Sequence, residues 1–107
     1  MADHPVWRKI PASHPALPGH FPGHPVVPGV VILSEVWDSV AAAAPHPVRC
    51  TGWPNVKFLA PLQPEEPFTV EVEFTGPEAA RFTCRNAERV LAQGSVRLAA
   101  VSTGAIE

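Results

Sequence analysis

The apolar positions of this chain follow two different rhythms. Between Gly29 and Ala44 they crowd together: Val30, Val31, Ile32, Leu33, Val36, Trp37 and Val40, then Ala41 to Ala44. The run opens after Pro28 and closes at Pro45, and a proline stops a helix at or before the preceding residue. This predicts a helix over Gly29–Ala44. It is apolar on nearly every side, which predicts burial rather than a surface position. Its only polar side chains are Ser34, Glu35, Asp38 and Ser39. On a buried helix each of them needs a partner or a task.

Elsewhere the rhythm is that of strands. Pro67–Thr75 alternates strictly, with Phe68, Val70, Val72 and Phe74 on one face and Thr69, Glu71, Glu73 and Thr75 on the other. Gly76-Pro77 reads as a turn. Ala80–Ala87 and Arg89–Val101 predict a hairpin whose turn chemistry centres on Asn86-Ala87-Glu88. Val48–Leu62 predicts a further strand, and Pro5–Ala12 a short first strand whose flanking prolines suit an edge. One helix followed by antiparallel strands is an α+β plan, a sheet curled around a central helix. Met1–His4 and Ser102–Glu107 read as loose ends.

Composition narrows the picture. A chain of 107 residues predicts one domain spanning 1–107. Hydrophobic residues make up 46%, generous for so small a body, and predict an apolar face shared with a second subunit. With 17% charged residues and a net charge of −2, there is no electrostatic case for nucleic acid or an anionic membrane. No apolar run approaches the roughly 18 residues of a membrane span, and no signal-peptide pattern is visible. A cytoplasmic location is expected from those absences. Cys50 and Cys84 lack any CxxC partner and read as buried or half-buried thiols. The fourteen prolines are interleaved with apolar runs and read as punctuation in an ordered domain.

The chemistry is concentrated in Gly19-His20-Phe21-Pro22-Gly23-His24-Pro25-Val26-Val27-Pro28-Gly29-Val30. Its prolines and glycines make a stiff, bent loop that presents His20 and then a bare helix N-terminus. His14, His20 and His24 do not have a recognised metal-ligand spacing. His24 reads as a surface residue of the loop.

This stretch resembles the signature of the 3-hydroxyacyl-acyl-carrier-protein dehydratases, approximately H-F-P-G-x-P-x-x-P-G-V-L. His20, Phe21, Pro22, Gly23, Pro25, Pro28, Gly29 and Val30 all match. Val56-Lys57-Phe58-Leu59-Ala60-Pro61-Leu62 is similar to the same family's V-K-F-x-x-P-V segment. The resemblance implies the hotdog fold, and within it the compact relatives from aryl-polyene and related pathways. It implies a hydro-lyase that takes water from a 3-hydroxyacyl thioester, without cofactor or metal, in fatty-acid or aryl-polyene-type synthesis.

By this resemblance His20 is the base, and its ordinary pKa suits that work. Gly29 is the backbone donor to the thioester oxygen, with Phe21, Gly23 and Val26 shaping the substrate loop. A missing β-carbon at Gly29 serves both a tight turn and the approach of substrate. The family's acid stands fourteen positions after the histidine, which here is Ser34. Glu35 follows, turned about 100° around the helix. Asp38 lies one turn beyond Ser34 on the same face. Three readings stay open: Glu35 acts through a local slip of the helix, Asp38 acts directly or through a water held by Ser34, or no carboxylate reaches the site.

Trp37, Trp53, Phe58 and Phe82 line an acyl tunnel on one reading and pack the core and a dimer interface on the other. The family shares its site across a homodimer, and its substrate rides on an acidic acyl carrier protein, or on CoA. Arg8, Lys9, Arg49, Lys57, Arg81, Arg85, Arg89 and Arg97 are the candidate carrier contacts. A hotdog thioesterase and an acyl-thioester-binding accessory subunit are the competing functions. The HFPG-x-P loop favours the lyase, and Ser34 favours the accessory subunit.

Overall fold

A computed structural model describes residues 7–15, 17 and 26–101. The helix α1 runs Gly29–Ala43. Pro28, with φ −61° and ψ 147°, is its extended N-cap, and no side chain caps the first turn. At the other end Ala44 is forced extended, as the residue before Pro45 must be, while its N–H still donates to the Val40 carbonyl at 3.0 Å. The sequence expectation was one residue long.

Four strands follow: β1 Val48–Phe58, β2 Thr69–Gly76, β3 Ala79–Arg85 and β4 Val90–Ala100. They form one antiparallel sheet in the order β1-β4-β3-β2. The helix lays Val31, Ile32, Val36 and Val40 into a core that includes Phe68, Phe82, Cys84, Leu91 and Val96. The β3–β4 hairpin turns where the sequence placed it. Asn86 Oδ1 accepts the N–H groups of Glu88 (2.8 Å) and Arg89 (2.9 Å), an Asx turn. Asn86 Nδ2 donates to Glu66 at 2.7 Å and ties that turn to the segment before β2.

Three expectations are corrected. Pro5–Ala12 does not form a strand in its described part, 7–12. It makes one bridge, in which Arg8 and Phe68 exchange backbone bonds of 2.9 Å. The ladder stops because the carbonyls of Ile10 and Pro11 turn to other donors, Glu65 N–H (2.7 Å) and His14 N–H (3.0 Å), and Pro11 has no N–H to give. The bridge does lie beside the start of β2, at an edge of the sheet, as the prolines suggested.

β1 ends at Phe58 rather than Leu62. Leu59 and Ala60 both donate to the one carbonyl of Leu91, at 2.8 and 3.2 Å, and the chain then peels away. Within β1, Pro54 cannot donate to the ladder, and the register slips between Cys50 and Gly52 and again before Asn55.

Nor is the helix buried all round. Val30 is 74% exposed, and Ser34, Asp38 and Ala41 are exposed with it. They form a stripe at helical spacing down the side away from the sheet. The physical reason is simple: a four-stranded sheet covers one side of a helix and leaves the other open.

Candidate active site

The helix start is held by two short segments that lie about thirty residues apart in the chain. Val27 is buried, and its N–H donates to the Leu62 carbonyl at 2.8 Å. The Pro28 carbonyl accepts from Val31 (3.0 Å) and Ile32 (3.3 Å). Gly29 and Val30 therefore present N–H groups without an intrahelical acceptor, at the positive end of the helix dipole. Val26, just before them, is half-buried. Three of the expected site residues, His20, Phe21 and Gly23, lie outside the described residues, as does His24.

The three polar candidates on α1 are not brought together. Ser34 and Asp38 share the open stripe with Val30, one turn apart, and neither has a hydrogen bond or ion pair among the described residues. Glu35 is turned away from them. Its Oε1 receives Arg8 Nη1 at 3.0 Å, and the same nitrogen reaches the Glu35 carbonyl at 3.2 Å. Ser39 donates back to that carbonyl at 3.2 Å. Both partners of the ion pair are about three-quarters covered, so it fastens the segment before the loop onto the helix. Nothing in the spacing announced a contact between residues 27 apart in the chain.

Behind this pair sits Cys84, fully buried. Burial pushes its thiol up from 9.0 to about 12, with Arg8 pulling weakly the other way and Glu35 adding to the rise. In the unfolded chain the thiol ionises near 9, whereas the folded chain keeps its proton. The stabilisation is therefore complete below about pH 9 and is lost as pH climbs from there toward 12, by about a factor of ten per unit for this one group. Melting curves of the wild type should fall across that window more steeply than those of Cys84→Ala; parallel curves would remove the argument. Cys50 is half-buried and free, as is the buried Cys84, in agreement with the sequence reading.

Of the aromatic candidates, Phe82 is core, and Trp53 meets it edge to face at 5.8 Å and 89°. Trp37 is half-buried against the same cluster. Phe58 differs: it is 51% exposed and lies against Gly29. Four of the eight cations are in ion pairs, Arg8 with Glu35, Lys9 with Glu65, Arg81 with Glu73 and Arg85 with Glu71. Arg49, Lys57, Arg89 and Arg97 are exposed, with no ion pair among the described residues. No group of three His, Cys, Asp or Glu among the described residues could hold a metal, and no described helix is long and apolar enough to cross a membrane.

One helix against an antiparallel sheet, entered by the loop before Gly29, defines a hotdog fold. Solved structures agree. A dehydratase heterocomplex ApeI:P from Xenorhabdus doucetiae superposes with a TM-score of 0.76 at 23% identity, over 87% of this chain and 83% of that one. An uncharacterised protein from Erwinia carotovora superposes with a TM-score of 0.77 at 21% identity, over 89% and 81%.

In sequence, the 3-hydroxyacyl-acyl-carrier-protein dehydratase FabZ of Thermus thermophilus is 30% identical over 107 residues, 90% of this chain and 72% of the relative. The FabZ of Geobacter metallireducens is 36% identical over 78 residues, 64% of this chain and 52% of that one. A family model described as ApeI-like, ApeI dehydratase, matches residues 4–95. The chain belongs to the ApeI-like dehydratase family, hydro-lyases built on the hotdog fold.

Proposed function

We propose that this chain removes water from a 3-hydroxyacyl thioester to give the trans-2-enoyl thioester, in fatty-acid or aryl-polyene-type lipid synthesis in the cytoplasm. His20 takes the α-proton. As the C–H bond breaks, charge moves to the thioester oxygen, and the Gly29 N–H holds it there. The double bond forms between the α- and β-carbons, and the β-hydroxyl leaves as water with a proton from Asp38, passed directly or through a water on Ser34. Phe21, Gly23 and Val26 border the acyl group.

The observation that carries this assignment is the split on α1. Ser34 and Asp38 share the open stripe that begins beside Gly29, while Glu35 is engaged by Arg8.

The same stripe supports a homodimer of single hotdog domains. Val30, Phe58 and Leu59 are exposed apolar residues near the helix start, and β1 is a long strand at one edge of the sheet. An open edge of that length invites pairing with another strand. In such a dimer, as the family resemblance implies, the His20 of one copy works with the acid of the other. Among the cations, Arg49, Lys57, Arg89 and Arg97 are the ones left to meet an acidic carrier protein.

The test is mass-spectrometric detection of dehydration, and of the reverse hydration, on acyl thioesters carried by acyl carrier protein and by CoA. It is paired with light scattering of the same sample. His20→Ala should lower turnover at least a hundredfold, as the loss of an acid/base group does. A dimer that binds the thioester without turning it over would favour the accessory subunit, for which Ser34 at the family's acid position speaks. Release of free carrier would favour a thioesterase. A monomer would sink the shared site, unless a second, different chain completes it; the Xenorhabdus doucetiae ApeI:P dehydratase is a heterocomplex.

A further inference from the structure

Gly29 is not a glycine because of its backbone. It lies in the first turn of α1 with no left-handed φ, a conformation open to any residue. What a side chain there would meet, and have to displace, is the ring of Phe58. A β-carbon on Gly29 would sit 2.7 Å from Phe58 Cζ and 3.1 Å from both Cε atoms. Carbon atoms rest at about 3.5–4.0 Å. The two Cε distances are equal and barely longer than the Cζ distance. A ring meeting the glycine tip-on would hold its Cε atoms much farther back than its Cζ. The flat face of the ring, over its Cζ end, therefore lies on Gly29.

The backbone that carries the ring is anchored from behind. Phe58 is the last residue of β1, and the next two N–H groups both grip the Leu91 carbonyl. Four residues on, Leu62 holds Val27 by its carbonyl. The V-K-F-x-x-P segment thus touches the loop-and-helix segment twice, once through backbone and once through the ring. Half of the Phe58 surface is still open, as is most of Val30 at the helix start.

We propose that Phe58 is a positioning residue of the dehydration reaction: its ring sets the first turn of α1 so that the Gly29 N–H meets the thioester oxygen, and the glycine is kept at 29 to seat that ring. The proposal rests on the dehydratase reading above. It separates two things that Gly29 does. Ala at 29 keeps the N–H donor, and a helical start suits it, but it displaces the ring. Loss of activity in Gly29→Ala then reports the added methyl and not the donor, and the Phe58 variants show whether the methyl acts through the ring or on the substrate's approach.

The experiment compares the wild type with Phe58→Ala, Phe58→Tyr, Gly29→Ala and the double variant Gly29→Ala/Phe58→Ala. Steady-state dehydration is measured on the thioester that the wild type turns over, with thermal melting of each protein. Small misplacements at a site cost up to about a hundredfold. Phe58→Ala and Gly29→Ala should each lower kcat about tenfold or more, with KM within about threefold. The double variant should be no worse than the poorer single, because both remove one contact and their effects do not add. Phe58→Tyr keeps the flat face and should recover most of what Phe58→Ala loses.

Three results would overturn the proposal. The first is wild-type kcat in Phe58→Ala. The second is a double variant that loses the product of the two single losses. The third is a loss in Phe58→Ala that follows its melting temperature, with no recovery by Tyr. If the wild type turns over no thioester on either carrier, the dehydratase reading fails first and this one with it; coupled melting temperatures would then leave the contact as packing only.

Discussion

Asp38→Asn should lower kcat for dehydration by about a hundredfold, the scale of a lost general acid, while Glu35→Gln stays within about threefold of wild type. The physical basis is the geometry of α1. Asp38 has no partner among the described residues and stands on the open side, one turn from Ser34. Glu35 is bound to Arg8 at 3.0 Å on a covered side, and moving it toward Ser34 would break that pair. Arg8 Nε is already buried without a hydrogen-bond partner, so the guanidinium depends on Glu35 for its compensation.

Glu35→Gln should therefore be visible in stability instead, as a fall of a few degrees in Tm. Steady-state kinetics and melting of the two variants together decide the matter. The reverse pattern, with Glu35→Gln inactive and Asp38→Asn active, would show that the helix slips in the assembled site to present Glu35. If both keep full activity, neither carboxylate is the acid.

The second large effect is structural. Gly94→Ala should cost about 3 kcal/mol, the upper end of overpacking, or prevent folding outright. A β-carbon at Gly94 would overlap the Asn55 carbonyl oxygen and come within 2.9 Å of Val56 Cα. Both are backbone atoms, which cannot swing aside as the Phe58 ring can at Gly29. Gly94 stands between Val56 of β1 and Phe82 of β3 in the pairing, so the clash separates β1 from β4. Two residues beyond Val56 is Phe58, so the same damage reaches the helix start.

Gly52 and Gly76 provide the control, since a β-carbon at either meets nothing within 4 Å. Chemical denaturation of the three Ala variants should rank Gly94→Ala far below the other two. Equal stabilities would mean that β1 and β4 can part without cost.

The candidate site divides along the same line as the fold. Its family was legible, because His20–Val30 and Val56–Leu62 are contiguous strings whose order carries the information. That Ser34 and Asp38 share a face was legible too, since helical spacing alone sets it. The engagement of Glu35 was not, because its partner Arg8 is brought close only when the segment before the loop bridges to Phe68. Phe58 was weighed as tunnel against core and dimer-interface packing; within the single chain it is not core, being 51% exposed with its ring over Gly29.

By itself the sequence determined what depends on neighbours in the chain. Pro28 and Pro45 bound the helix, strict alternation sets the faces of β2, and Asn86 builds the hairpin turn. Only the tertiary structure decided the rest: that Pro5–Ala12 contributes a single bridge, that β1 stops at Phe58 to let the next residues clasp the loop, and that one side of the helix is left open. Each of these depends on which carbonyl competes best for a given N–H, or on how much helix a four-stranded sheet can cover. Those are contests between residues far apart in the chain, and local pattern contains no term for them.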